Sequence, residues 1–209
     1  MLREAFTREL NETRFELLRM GTMAEKALSE AMIALVKADL AAASRVHALE
    51  ESIDFLNHSI NERCVRLITL QAPVAGDTRY ITGILEAIVG IERIGDYADN
   101  IAEIAFALAG KPMPPLMVDF ERMGLRASGM VRAALDSWAQ LNRERGLAVR
   151  ALDDAVDDDY VRLFNQLAKL IVAGDGSVPL NLVLACKYLE RIADHAVNVA
   201  EQAAYAAPR

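Results

Sequence analysis

Apolar residues recur along this chain at intervals of three and four over long stretches, and no stretch alternates apolar and polar residues as a half-buried strand would. The rhythm breaks at "APVAGDT" (72–78), "AGKPMPP" (109–115) and "AGDGSVP" (173–179), where Gly or Pro meets small and polar residues. It also resets near Asp39 and at "LNRERG" (141–146). The pattern predicts an all-α protein of six helices, at 5–37, 39–72, 77–108, 115–142, 145–173 and 178–206.

The second half repeats the first. "GTMAEKALSEAM" matches "SGMVRAALDSWA", setting Met23 against Met130 and Leu28 against Leu135. "ALEESIDF" matches "ALDDAVDD", setting Glu50 against Asp153 and Asp54 against Asp157. "IERIGDYADNIAE" (91–103) matches "LERIADHAVNVAE" (189–201), setting Glu92 against Glu190. The separation is constant within each helix pair and shortens from one pair to the next, as expected where loops have lost residues and packed helices have not. Two tandem, pseudo-symmetric three-helix bundles follow, the first over 1–110 and the second over 111–209, with "AGKPMPP" as the hinge.

The last matched pair carries the candidate chemistry. At about 100° per residue, positions i, i+4, i+8 and i+11 fall within roughly 80° of one another. Glu92, Asp96, Asn100 and Glu103 therefore form one polar line, repeated as Glu190, Asp194, Asn198 and Glu201. Ile84, Ile91, Ile94, Ala98, Ile101 and Ala105 fall on the opposite, core-facing side of the first run. The preceding helix of each copy adds another i, i+4 acidic pair, Glu50 with Asp54 and Asp153 with Asp157. Like charges at this spacing cost a few tenths of a kcal/mol per pair on an isolated helix, so four such pairs ask for a cation. Arg93 and Arg191 could serve as salt-bridge partners on merely solvated faces, but the fourfold repetition favours a metal site. Hard carboxylate and amide oxygens suit iron(III), magnesium, manganese or calcium, and also zinc.

Composition narrows the function. The hydrophobic fraction is 53%, the aromatic fraction only 6%, so a large core is built from aliphatic side chains. The formal net charge of −7 repels a phosphate backbone and argues against a nucleic-acid partner. Cys64 and Cys186 lie far apart with no CxxC, which reads as buried free thiols in a reducing compartment. The charged start "MLREAFTREL" lacks the apolar segment of a signal peptide, and no apolar run reaches the roughly 18–20 residues of a membrane span. A cytoplasmic protein with no direct membrane insertion is expected.

No catalytic constellation is visible. A di-iron bundle enzyme uses Glu-x-x-His pairs, and the residues three before His47, His58 and His195 are Ser44, Phe55 and Ile192. There is no G-x-S-x-G, P-loop or G-x-G-x-x-G motif, and "AGDGSVP" keeps only G-x-G. His195, with Tyr97 in the equivalent place of the first copy, reads as a surface or interface histidine. A protein that is not an enzyme is expected; the competing classes are a metal-storage or metal-dependent helical-bundle enzyme and a purely structural interaction module.

The two runs at 91–103 and 189–201, together with "LQAPVAGDTRYITGILEAIVGIERIGD" (70–96), closely resemble the repeated motif of the PhoU family of phosphate-transport regulators. With the two-copy, six-helix layout, the resemblance covers essentially the whole chain. It implies a homodimeric, non-catalytic negative regulator of phosphate uptake and the phosphate-starvation response. Its implied partners are the ATPase of the phosphate ABC transporter and a membrane sensor histidine kinase, which bring it to the inner membrane. A PhoU-like paralogue serving another signalling pathway is the alternative within the family.

The family's acidic motifs, associated with surface metal clusters, carry over as Glu50/Asp54, Glu92/Asp96, Asp153/Asp157 and Glu190/Asp194. Asn100 and Asn198 match the motif's asparagines. The expected ions are iron, zinc, magnesium or manganese. Asp153 replaces a Glu, and Tyr97 and Asp99 also depart from the usual pattern.

Overall fold

The computed structural model describes residues 2–71, 73–174 and 176–208; the boundary expected at 72 and Asp175 of the third break lie outside them. Among the described residues the regular structure is helical: α1 (Leu2–Lys37), α2 (Leu40–Gln71), α3 (Ala75–Ala107), α4 (Met117–Gln140), α5 (Arg143–Ala148), α6 (Asp153–Val172) and α7 (Ser177–Ala206). A 3-10 turn, Val149–Leu152, joins α5 to α6. Five of the six expected helices are whole and end within a few residues of the expected bounds.

The helix expected at 145–173 begins earlier and is divided. Asn142 starts it, its side-chain oxygen accepting from the Arg145 amide at 3.0 Å, which satisfies a free amide of the first turn. Gly146 then lets the α5 backbone press on α7, since a Cβ there would lie 2.5 Å from the Ala200 carbonyl oxygen. The 3-10 turn redirects the chain so that α6 packs on both α4 and α7. "VRAL" (149–152) carries no Gly or Pro, so periodicity alone runs through the division.

The starts of α2 and α3 are capped as their sequences dictate. The break near Asp39 is a tight turn in which Ala38 takes φ 54° and Asp39 Oδ1 accepts from the Ala41 and Ala42 amides at 3.0 and 3.1 Å. At α3, Asp77 reaches back to the Val74 amide at 3.3 Å and also binds the Arg3 guanidinium of α1.

Helices α1, α2 and α3 pack on one another, as do α4, α6 and α7, and the two sets join through α1 against α4 and α3 against α7. The α3–α7 contact is the most extensive in the molecule, so the two repeated acidic runs lie on apposed helices. Gly90 permits the close approach, because a Cβ there would stand 2.7 Å from Val199 Cγ2. The expected core positions Ile84, Ile91, Ile94, Ala98, Ile101 and Ala105 are all buried, and one continuous apolar core runs through both halves. Each fully buried Leu or Ile in it is worth about 1.5–3 kcal/mol relative to exposure.

The buried Trp138 indole donates to the Val199 carbonyl at 2.9 Å and meets Tyr80 edge-on, tying α4 to both α7 and α3. Cys64 and Cys186 are free and buried, and burial pushes each thiol up to about 12. No helix among the described residues is long and apolar enough to cross a membrane.

Candidate metal centre

The first acidic face forms along the α2–α3 seam. Each helix sets two acids one turn apart on its outer edge, and packing brings Glu50, Asp54 and Asp96 together, with one oxygen from each within 4.8 Å of the others. Burial raises the Glu50 carboxyl, and Asp54, Asp99 and Asp96 raise it further. Burial likewise raises Glu92, with Asp96 second, and it raises Asp96 despite Arg93. Arg93 sits at the rim, half exposed, 3.1 Å from Asp96 and 3.5 Å from Glu92. Asn100 is half-buried one turn beyond Asp96, and Glu103 is exposed. Asp99, which departs from the family pattern, faces His47 of α2 at 3.5 Å.

The second face lies along the α6–α7 seam and is looser. Burial pushes Asp153 up to about 6, reinforced by Asp157, Asp194 and Glu190, so these acids share one field. They do not reach the mutual 4.8 Å spacing of the first face. The division of the fifth helix places Asp153 in the first turn of α6, whereas Glu50 lies inside α2. Glu190 Oε1 accepts from Lys187 Nζ at 2.6 Å, while its Oε2 is buried without a hydrogen-bond partner. Arg191 stands 3.5 Å from Asp194. Asn198 is exposed, and Glu201 pairs with Arg150 at 3.0 Å.

Between the faces, Tyr97 and His195 occupy matched positions and meet across the α3–α7 contact, ring centroids 5.7 Å apart. Tyr97 also stacks on Tyr188 at 5.6 Å. His195 is thus an interface histidine, and burial lowers its imidazole from the ordinary value.

Periodicity missed one polar cluster. Asp159 is wholly buried and accepts from Arg126 Nη1 at 2.7 Å, from Arg122 Nε at 3.4 Å and from Arg162. The signal was the run Asp157–Asp158–Asp159: two residues turn a helix by about 200°, so Asp157 and Asp159 cannot share a face. Facing arginines at 122 and 126 mark where the inward acid goes.

The residues fit a hard cation. Carboxyl groups lifted by burial and mutual repulsion are stabilised as carboxylates by a positive ion, and the buried Glu190 Oε2 has no hydrogen-bond donor, Arg191 Nε standing 3.8 Å away. Glu50, Asp54 and Asp96 would hold an ion on the first face, with Glu92 of the expected set outside their 4.8 Å group; on the second, Asp153, Asp157, Glu190 and Asp194 would have to draw together to hold one. All donors being oxygens, the ion would join helices electrostatically and as a Lewis acid.

Fold and faces together define a class: an all-α scaffold of two three-helix repeats, each with carboxylates gathered along one helix seam. Comparison with known proteins gives the family. The PhoU domain model matches residues 17–105 and 120–203, and the chain belongs to the PhoU family. It is 36% identical to the Synechocystis sp. phosphate-specific transport system accessory protein PhoU homolog, over 97% of this chain and 91% of the relative. It is 30% identical to the phosphate-specific transport system accessory protein PhoU of Escherichia coli K12, over 94% of this chain and 82% of the relative. The crystal structure of PhoU from Pseudomonas aeruginosa superposes with a TM-score of 0.92 at 33% identity, covering 96% of this chain and 98% of that one.

Proposed function

We propose that this protein is a non-catalytic negative regulator of phosphate uptake and of the phosphate-starvation response. It acts in the cytoplasm as a homodimeric adaptor between the ATPase of a phosphate ABC transporter and a sensor histidine kinase. The observation that carries this reading is the PhoU match along both halves of the chain, with relatives named as phosphate-transport accessory proteins matched over 91% and 82% of their length.

The adaptor works by differential affinity. A partner shifts the kinase between its states only insofar as it binds one state better than the other, and rigid paired helices offer such a surface. Iron, zinc, magnesium or manganese on the carboxylate faces would fasten α2 to α3 and α6 to α7, setting the contact surface without turnover. The grouping of Glu50, Asp54 and Asp96 supports this part of the reading.

The test is complementation in a bacterium deleted for its own PhoU-family gene and carrying a phosphate-starvation reporter. The wild-type chain restores repression in high phosphate, and Glu92→Ala with Asp96→Ala lowers both metal content and repression. Failure of the well-expressed wild-type chain to restore repression would contradict the regulator; normal metal content in the double variant would contradict the first metal face.

A further inference from the structure

The two acidic faces differ in one respect that their matched sequences conceal. On the second face, the Lys187 ammonium lies 2.6 Å from Glu190 Oε1 and 5.1 Å from the centroid of the Tyr160 ring. The ion pair and the aromatic face together hold it against the acids. At the corresponding places of the first copy stand Val89 and Asn57, which supply neither an ammonium nor a ring. The first face instead gains Asp99, where the second has Val197. Arg93 and Arg191 are common to both faces, so Lys187 and Asp99 tilt the charge balance in the same direction.

We propose that Lys187 is a tethered competitor for the cation of the second face, so that the first face fills first and the second only when the ammonium is displaced. This inference rests on the metal reading above. Displacement is open to the side chain because Lys187 is about a third exposed. It is also incomplete as a substitute for an ion, because the ammonium satisfies one Glu190 oxygen and leaves the buried other without a hydrogen bond, with only the Arg191 guanidinium 3.8 Å away. A positive charge beside a divalent ion weakens its binding by about tenfold even with the screening of bulk water.

The experiment is titration of the full chain with manganese(II), reading the free ion by electron paramagnetic resonance. The expected result is two classes of binding, with the weaker removed by Asp153→Asn and Asp157→Asn. Lys187→Met tightens the weaker class about tenfold and leaves the tighter unmoved, whereas Lys187→Arg, which keeps the charge, leaves both as they are. The mirror change Val89→Lys, at an exposed position, weakens the tighter class. Equal affinity of the two faces in the wild type, or a weaker class that ignores Lys187→Met in a fully helical variant, would overturn the inference while sparing the metal reading. Absence of manganese binding at either face would overturn both.

Discussion

Arg126 of α4 donates to Asp159 of α6 at 2.7 Å, and the aspartate that receives it has no exposed surface. The matched residue of the first copy is Leu56, also buried, so one architecture closes the same position once with an aliphatic side chain and once with an ion cluster. A buried charge that loses its partners costs more than the intact cluster gains. Replacement of Arg122, Arg126 and Arg162 together by Ala is therefore expected to destabilise the protein by about 3 kcal/mol or more, and Asp159→Leu by less than half as much. Urea unfolding of the three proteins measures this, and equal losses would contradict it.

The close approach of α5 to α7 depends on Gly146. Its Cβ, if present, would meet backbone rather than a movable side-chain end. Gly146→Ala is expected to cost about 1–3 kcal/mol through displacement of α5. Gly76, in the first turn of α3 with open space around it, is the control: Gly76→Ala is expected to be neutral or to gain up to about 1 kcal/mol. Thermal unfolding of the pair tests the contrast.

Asp153 gives a pH dependence whose sign follows from its raised carboxyl. Its ordinary value of 3.8 is lifted to about 6, burial first and neighbouring acids second. The fold thus favours the protonated form; that stabilisation is full below the unfolded value and is lost as pH rises through the folded one. In chelator, the melting temperature of the wild type should fall relative to Asp153→Asn between about pH 4 and pH 7. Manganese(II) at pH 7 should recover the difference, and parallel curves with and without the ion would contradict the shared field of the second face.

The two thiols should be inert. With each pushed up to about 12 by burial, the reactive thiolate is scarce near neutrality. Alkylation of Cys64 and Cys186 by iodoacetamide at pH 8 should be about a thousandfold slower than that of free cysteine and become fast on unfolding. Rapid labelling of the native protein would contradict their burial.

Much of this was legible in the sequence, for physical reasons. Aliphatic periodicity marks a helix because burial of one face is what stabilises it, so Ile84 through Ala105 declared both α3 and its inner side. The i, i+4 acids declared their lines because repulsion at that spacing needs compensation. What periodicity cannot carry is contact between elements. The division at Val149–Leu152 answers to the press of Gly146 on α7, and the convergence of Glu50, Asp54 and Asp96 answers to how α2 lies on α3. Nothing in the helical period sets Lys187 apart; the Tyr160 ring and Glu190 around it do.

Capture of partners decides whether this protein is a metal-organised phosphate adaptor. The purified chain is offered the phosphate transporter ATPase and the sensor kinase from the same cell, with and without chelator. At least one is expected to be retained, and chelator to release it. Capture of neither, with or without chelator, would contradict the adaptor, and capture that ignores chelator would contradict the part given to the metal.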